Sequence, residues 1–153
     1  MVIYLGADHR GFELKESLKQ FLMDGGYEVI DLGNDHYDEA DDYPDFASLV
    51  GEKVSADSEQ GRGILICGSG AGVTFSVNKF PRVRAALAIS SDQIYDARKH
   101  DDINVLTLAA NFVDGEEAGK IVKVFLETGF TGEERHRRRI NKVIDLEERL
   151  RGV

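Results

Sequence analysis

Short apolar runs of strand length alternate along this chain with longer stretches in which apolar residues return every three or four positions. Residues 2–6, 28–32, 63–67, 84–89 and 104–108 form the short runs and predict five β-strands. Between the first two, Leu14, Leu18, Phe21 and Leu22 fall on one face, with Gly25 and Gly26 as a stop, which predicts a helix over 11–24. Phe46, Leu49, Val50 and Val54 predict a second after Tyr43 and Pro44. Residues 73–79 can form a short one. Ser91 and Asp92 are placed to cap another that runs toward His100, and Ala118, Ile121, Val122 and Phe125 mark one more. The last segment, 133–151, is strongly charged and has only a thin apolar stripe through Ile140, Val143 and Ile144. A helix of that kind gains by lying across another surface.

Strands alternating with helices indicate an open α/β fold with a parallel sheet of about five strands. Such sheets bind ligands beyond the carboxyl ends of their strands. Three clusters are expected there, and are expected to converge on one crevice: Asp8 and His9 after the first strand, residues 67–72 after the third, and His100 beside the fifth.

Composition narrows the picture. With 153 residues, 42% of them hydrophobic, and two prolines, the chain is expected to form a single domain over 1–153. One cysteine excludes an intrachain disulfide. The N-terminus has neither the basic flank nor the apolar core of a signal peptide, so a reducing cytoplasm is the expected setting. No apolar run approaches the roughly 18 residues that span a bilayer. A net charge of −9 argues against nucleic acid and acidic membranes as partners. Arg135 to Arg139, followed by Lys142, opposes that balance locally. Residues 34–42 are acidic and read as a solvated surface loop, with neither the spacing nor the ligand set of a metal site.

The stretch richest in chemistry is Gly63 to Gly72, an apolar run that delivers Cys67 to alternating glycines at 68, 70 and 72. Such glycines let the backbone turn sharply and aim several N–H groups at one point, which suits a phosphate or a developing oxyanion. The segment lacks the Gly-Lys-Ser/Thr ending of a P-loop. On the residues alone, each candidate also has an ordinary reading. Cys67 could be a small buried hydrophobe and Asp8 a helix cap. His100, with Asp96 one turn earlier to hold its ring, could be an exposed histidine in a charged helix end. Arg135 and Arg139, four apart on one face, could be a phosphate clamp or a solvated basic stripe.

Taken in order, Asp8-His9 after the first strand, Asp42-Tyr43-Pro44, Gly63 to Gly70, Asn78-Lys79, His100 with Asn104, and Arg135 to Arg139 resemble the ribose-5-phosphate isomerase B family, which includes the galactose-6-phosphate isomerase subunits. The resemblance runs from residue 3 to about 147. It implies a three-layer α/β/α sandwich and a homodimer or homotetramer with shared sites, the helix at about 133–151 packing on a partner. It also implies cofactor-free, metal-free interconversion of aldose and ketose phosphates, with ribose 5-phosphate and ribulose 5-phosphate as the leading pair. In that pattern Cys67 is the base that moves a proton between C2 and C1 through a cis-enediolate, and backbone N–H groups of Gly68, Ser69, Gly70, Ala71 and Gly72 hold the oxyanion. Ser69 passes a proton between O1 and O2, and His100 opens the furanose ring. Asp8 and Tyr43 belong to the substrate pocket, and His9, Arg135 and Arg139 hold the phosphate, the arginines reaching across from the partner. Some members place a glutamate base where this chain has Val73, so the cysteine branch is implied.

Two positions depart from the pattern. Members commonly have Asn after the catalytic histidine and Arg shortly after the fifth strand, where this chain has Asp101 and Asn111. Both fall where substrate is expected, which leaves open another sugar phosphate or a free aldose. A non-catalytic binder of phosphorylated metabolites is the third reading. Retention of Cys67, Ser69 and His100 together opposes it, because binding needs no thiol.

Overall fold

The computed structural model describes residues 1–152. Its sheet has five parallel strands, β1 (Val2–Ala7), β2 (Glu28–Asp31), β3 (Gly61–Cys67), β4 (Ala85–Leu87) and β5 (Val105–Ala109), in the order β2-β1-β3-β5-β4. Six helices connect and flank them: α1 (Phe12–Asp24), α2 (Tyr43–Ala56), α3 (Ala71–Val77), α4 (Ser91–Asp101), α5 (Gly115–Glu127) and α6 (Glu134–Arg151). The α/β class with a five-stranded parallel sheet is as the sequence implies. Alternation along β3 builds both faces of the core. Ile64 and Ile66 pack with Leu18, Leu22, Leu106 and Phe125 on one side, while Leu65 and Cys67 pack with Val50, Val54, Val73 and Val77 on the other. Helices therefore cover both faces, giving the three-layer sandwich.

The differences from the expected elements have local causes. The fourth strand, at the sheet edge, is three residues long rather than six, and the N–H groups at the two ends of the expected stretch go to side chains. Arg84 N donates to Asn104 Oδ1, and Ile89 N donates to Gln93 Oε1. The cap of α4 is Ser90, whose hydroxyl accepts Gln93 N at 3.1 Å, not Ser91 or Asp92. A single 3-10 turn, His9–Gly11, precedes α1, capped by Asp8. Two motif residues are structural ties. Asn78 bonds both backbone groups of Ala85, and buried Asn104 bonds Arg84 N and Arg82 O.

The strand order creates a switch point. From β1 the chain crosses by α1 to β2 on one side, then by α2 to β3 on the other, so the loops leaving β1 and β3 part at their carboxyl ends. A crevice opens there, the general ligand position in such sheets. Helix α6 is the exception to the compact plan. It touches its own chain mainly at α4 and leaves Val143, Leu146 and Leu150 exposed.

Candidate active site

The crevice holds a cleft of about 190 Å³ lined by Asp8, Arg10, Tyr43, Cys67, Gly68, Ser69, Gly72 and Asn111. Cys67 closes β3 as a free thiol, 4% exposed, with its side chain on the face shared by α2 and α3. The turn behind it is possible because Gly70 takes φ 73° as the cap of α3, a left-handed conformation that side chains resist. Gly72 serves a close approach. A Cβ there would lie 2.7 Å from the Tyr43 ring, which stands edge-on to Phe75. The first N–H groups of α3 have no intrahelical acceptor and point out of its N-terminus. Ser69 is exposed beside them and accepts Ala71 N at 3.3 Å. Thiol, hydroxyl and open N–H groups thus surround one small volume.

Asp8 takes the capping role that its residue type allows, and a different carboxylate holds His9. Asp8 is buried and caps the 3-10 turn, accepting Arg10 N at 3.0 Å and Gly11 N at 3.2 Å. Burial raises its carboxyl pKa, and the bonds from Gly11 and Arg10 oppose that. The partner of His9 is Asp41, which accepts both the His9 backbone N and Nδ1 at 2.8 Å. That hydrogen bond raises the His9 pKa above the usual imidazole value and so favours the cation. The loop over 34–42 is therefore not wholly solvated. The Asp41 side chain is only 8% exposed and is also held by Asn34 Nδ2 at 2.9 Å.

The structure does not bring His100 into this crevice. Helix α4 runs against the strand direction, so it starts near the carboxyl edge of the sheet and its last turn ends at the amino edge, just before β5. Gly63 pairs with Val105 at that edge and Cys67 with Ala109 at the other. Four residue steps separate them, about 13 Å of strand. The expected convergence of three clusters is corrected: within one chain, two of them meet and His100 stands apart.

His100 has its own surroundings. Its ring stacks on His136 of α6, with centroids 4.6 Å apart and planes 13° apart, while Asp96 is exposed and does not hold it. His136 is 4% exposed, and among the described residues neither ring nitrogen has a hydrogen-bond partner. Burial lowers its pKa, His100, Arg135 and Arg139 push the same way and Glu133 opposes them, so the neutral ring is favoured. Arg135, Arg139 and Asp101 are all exposed at this corner, Arg135 with its Nε on Glu133 at 2.9 Å. Sequence reasoning gave no role to Arg10, Asp41 or His136. Nothing local marks the last two, whose histidine partners, His9 and His100, lie more than 30 residues away in the chain.

Residues 3–143 match the ribose/galactose isomerase family. The chain belongs to that family. It is an aldose–ketose isomerase, an intramolecular oxidoreductase. The ribose-5-phosphate isomerase B of Escherichia coli K12 is 37% identical over 96% of this chain and 97% of its own length. The crystal structure of ribose-5-phosphate isomerase B from Mycoplasma genitalium with bound ribulose 5-phosphate superposes with a TM-score of 0.93. It is 45% identical, with 96% of each chain covered. The Clostridium thermocellum enzyme of the same name gives 0.92 at 40% identity, covering 98% of this chain and 99% of that one. No helix among the described residues is long and apolar enough to cross a membrane.

Proposed function

We propose that this isomerase interconverts ribose 5-phosphate and ribulose 5-phosphate with Cys67 as the proton carrier. The observation that carries the reading is the one free thiol of the chain, set at the head of a glycine turn in the switch-point crevice. From aldose to ketose, the Cys67 thiolate takes the proton from C2. The electrons of that C–H bond form the C1–C2 double bond, and the charge moves onto O1, within reach of the N–H groups at residues 68–72. Ser69 relays the O2 proton to O1. The Cys67 thiol then returns its proton to C1, giving the ketose with no net gain or loss of electrons. A cis-enediolate is the only intermediate. The cradle contributes where charge develops, and losing one such donor costs about 3 kcal/mol of barrier.

Ring opening needs a second acid–base group, and in this reading it is His100, held by its stack on His136. Because that pair stands beyond the amino edge of the same chain's sheet, the working site takes Cys67 from one copy and His100, Arg135 and Arg139 from another. The exposed apolar residues of α6 support the pairing. Cationic His9 and the two arginines would share the phosphate, and Asp8 and Tyr43 would line the sugar. Such chemistry calls for no metal or cofactor and places the enzyme in a compartment that keeps the thiol reduced, the cytoplasm. A coupled assay over ribose 5-phosphate, allose 6-phosphate, galactose 6-phosphate and free ribose tests the substrate. Ribose 5-phosphate should show the highest kcat/KM, and a higher value for any other sugar overturns the choice.

A further inference from the structure

Arg10 stands in the crevice without an assigned role, and its position is specific. A Cβ built on Gly68 would lie 2.9 Å from Arg10 Cδ and 3.0 Å from its Nε, with Asn111 Nδ2 at 3.1 Å from the same point. An arginine from the turn after β1 and an amide from the turn after β5 therefore flank the backbone that follows Cys67. Other cations close to acidic groups are engaged: Lys15 and Lys19 with Asp31 and Glu16, Arg84 and Arg98 with Asp102, Arg135 with Glu133. Among the described residues Arg10 has no carboxylate within 4.0 Å, although the chain carries a net charge of −9. Its turn is fixed by the Asp8 cap, so the guanidinium is delivered from a rigid base. A planar guanidinium facing open space beside a neutral amide donor is a receptor for a tetrahedral oxyanion.

We propose that Arg10 binds the substrate phosphate in this chain, with Asn111 as its neutral partner. The inference rests on the sugar-phosphate reading above, and inorganic phosphate serves as a probe independent of turnover. Loss of a charge-assisted contact predicts that Arg10→Ala weakens phosphate binding, read as its inhibition constant and by calorimetry, roughly ten- to hundredfold. KM for ribose 5-phosphate should rise by a similar factor while kcat changes little. Arg10→Lys should recover part of the loss. Arg10→Ala with Asn111→Arg should recover more, because it returns a cation to the same point from the other turn. Unchanged phosphate affinity in Arg10→Ala overturns the assignment. So does a fall in kcat alone, which would put the guanidinium on the enediolate. If wild type binds inorganic phosphate and loses it on Arg10→Ala but does not turn over ribose 5-phosphate, the substrate is wrong and Arg10 keeps its role.

Discussion

The two ends of the sheet are built in opposite ways. At the carboxyl end, every chemical group comes from a segment its own chain holds tightly: Cys67 from buried β3, the Asp8 cap, the Gly70 turn, and His9 fastened to Asp41. At the amino end, His100, Arg135 and Arg139 sit on α4 and α6, and α6 is exposed along much of its length. The first region needs only the fold to bring together the groups that the proposed proton transfer uses. The second presents a half-buried histidine and two exposed arginines far from the thiol, Arg135 tied to exposed Glu133 and His100 stacked on the His136 ring, and the proposed shared site depends on a second copy covering that face.

The most drastic way to break the first half is Cys67→Ala. It should lower kcat at least about a hundredfold, the lower end of general-base effects. Substrate should still bind, and solvent deuterium should no longer enter at C2. Turnover near wild type would take Cys67 out of the mechanism.

Mixing experiments sharpen the division itself. Chains with Cys67→Ala and chains with His100→Asn are each expected to be nearly inactive on a furanose substrate. With random pairing, half the dimers would be mixed and one of their two sites would hold both intact halves, restoring about a quarter of wild-type activity. The pair Cys67→Ala and Ser69→Ala should restore none, since both lesions lie in one half. Recovery in the second mixture, or none in the first despite proven subunit exchange, would place His100 with its own chain's Cys67.

The same contrast explains what could be read from the sequence. The cradle was legible because it is local: strand, thiol and glycines follow one another, and the backbone between them has few options. The position of His100 was misread from a topological detail. A helix after a strand in a parallel sheet returns toward the amino edge, so its last turn cannot share a crevice with its own chain's strand ends. Asp41 and His136 were missed because their roles exist only through partners distant in the chain, and an acidic loop and a basic run are usually solvated. The edge strand β4 is shorter than its composition suggests: the N–H groups of Arg84 and Ile89 go to the side chains of Asn104 and Gln93, while Arg84 O and Ala88 N still bond the adjoining segment at Asn104, Val105 and Thr107.

A milder perturbation tests the fastening of His9. Asp41 raises the His9 pKa, so the cation should persist above the usual imidazole range near 6.5 and help hold a phosphate there. Its contribution is full at low pH and is lost as pH rises through the raised value. Asp41→Asn keeps an acceptor for the His9 backbone N but removes the charge, so that loss should begin at lower pH. KM for ribose 5-phosphate should then match wild type in acid and exceed it by up to about tenfold near neutrality. Parallel KM profiles in the two enzymes would show that the His9 charge does not touch substrate.

The smallest effect is expected at Asp101, and its exposure decides the size. A carboxylate 4 Å from a phosphate charge would cost about 4 kcal/mol at an effective dielectric of 20, but only about 1 kcal/mol in water. Asp101 is exposed at the last residue of α4 in the single chain, so the screened figure applies wherever that corner keeps its water when a second copy meets it. A penalty of that order is a few-fold in affinity, too small to exclude a phosphorylated sugar. Asp101→Asn should therefore raise kcat/KM for ribose 5-phosphate by no more than about fivefold, and added salt should shrink the difference further. If Asp101 instead accepts a hydroxyl of the sugar, the same change lowers kcat/KM for every aldose that presents that hydroxyl and is insensitive to salt. The sign of the change and its salt dependence separate a tolerated surface charge from a contact that selects the sugar.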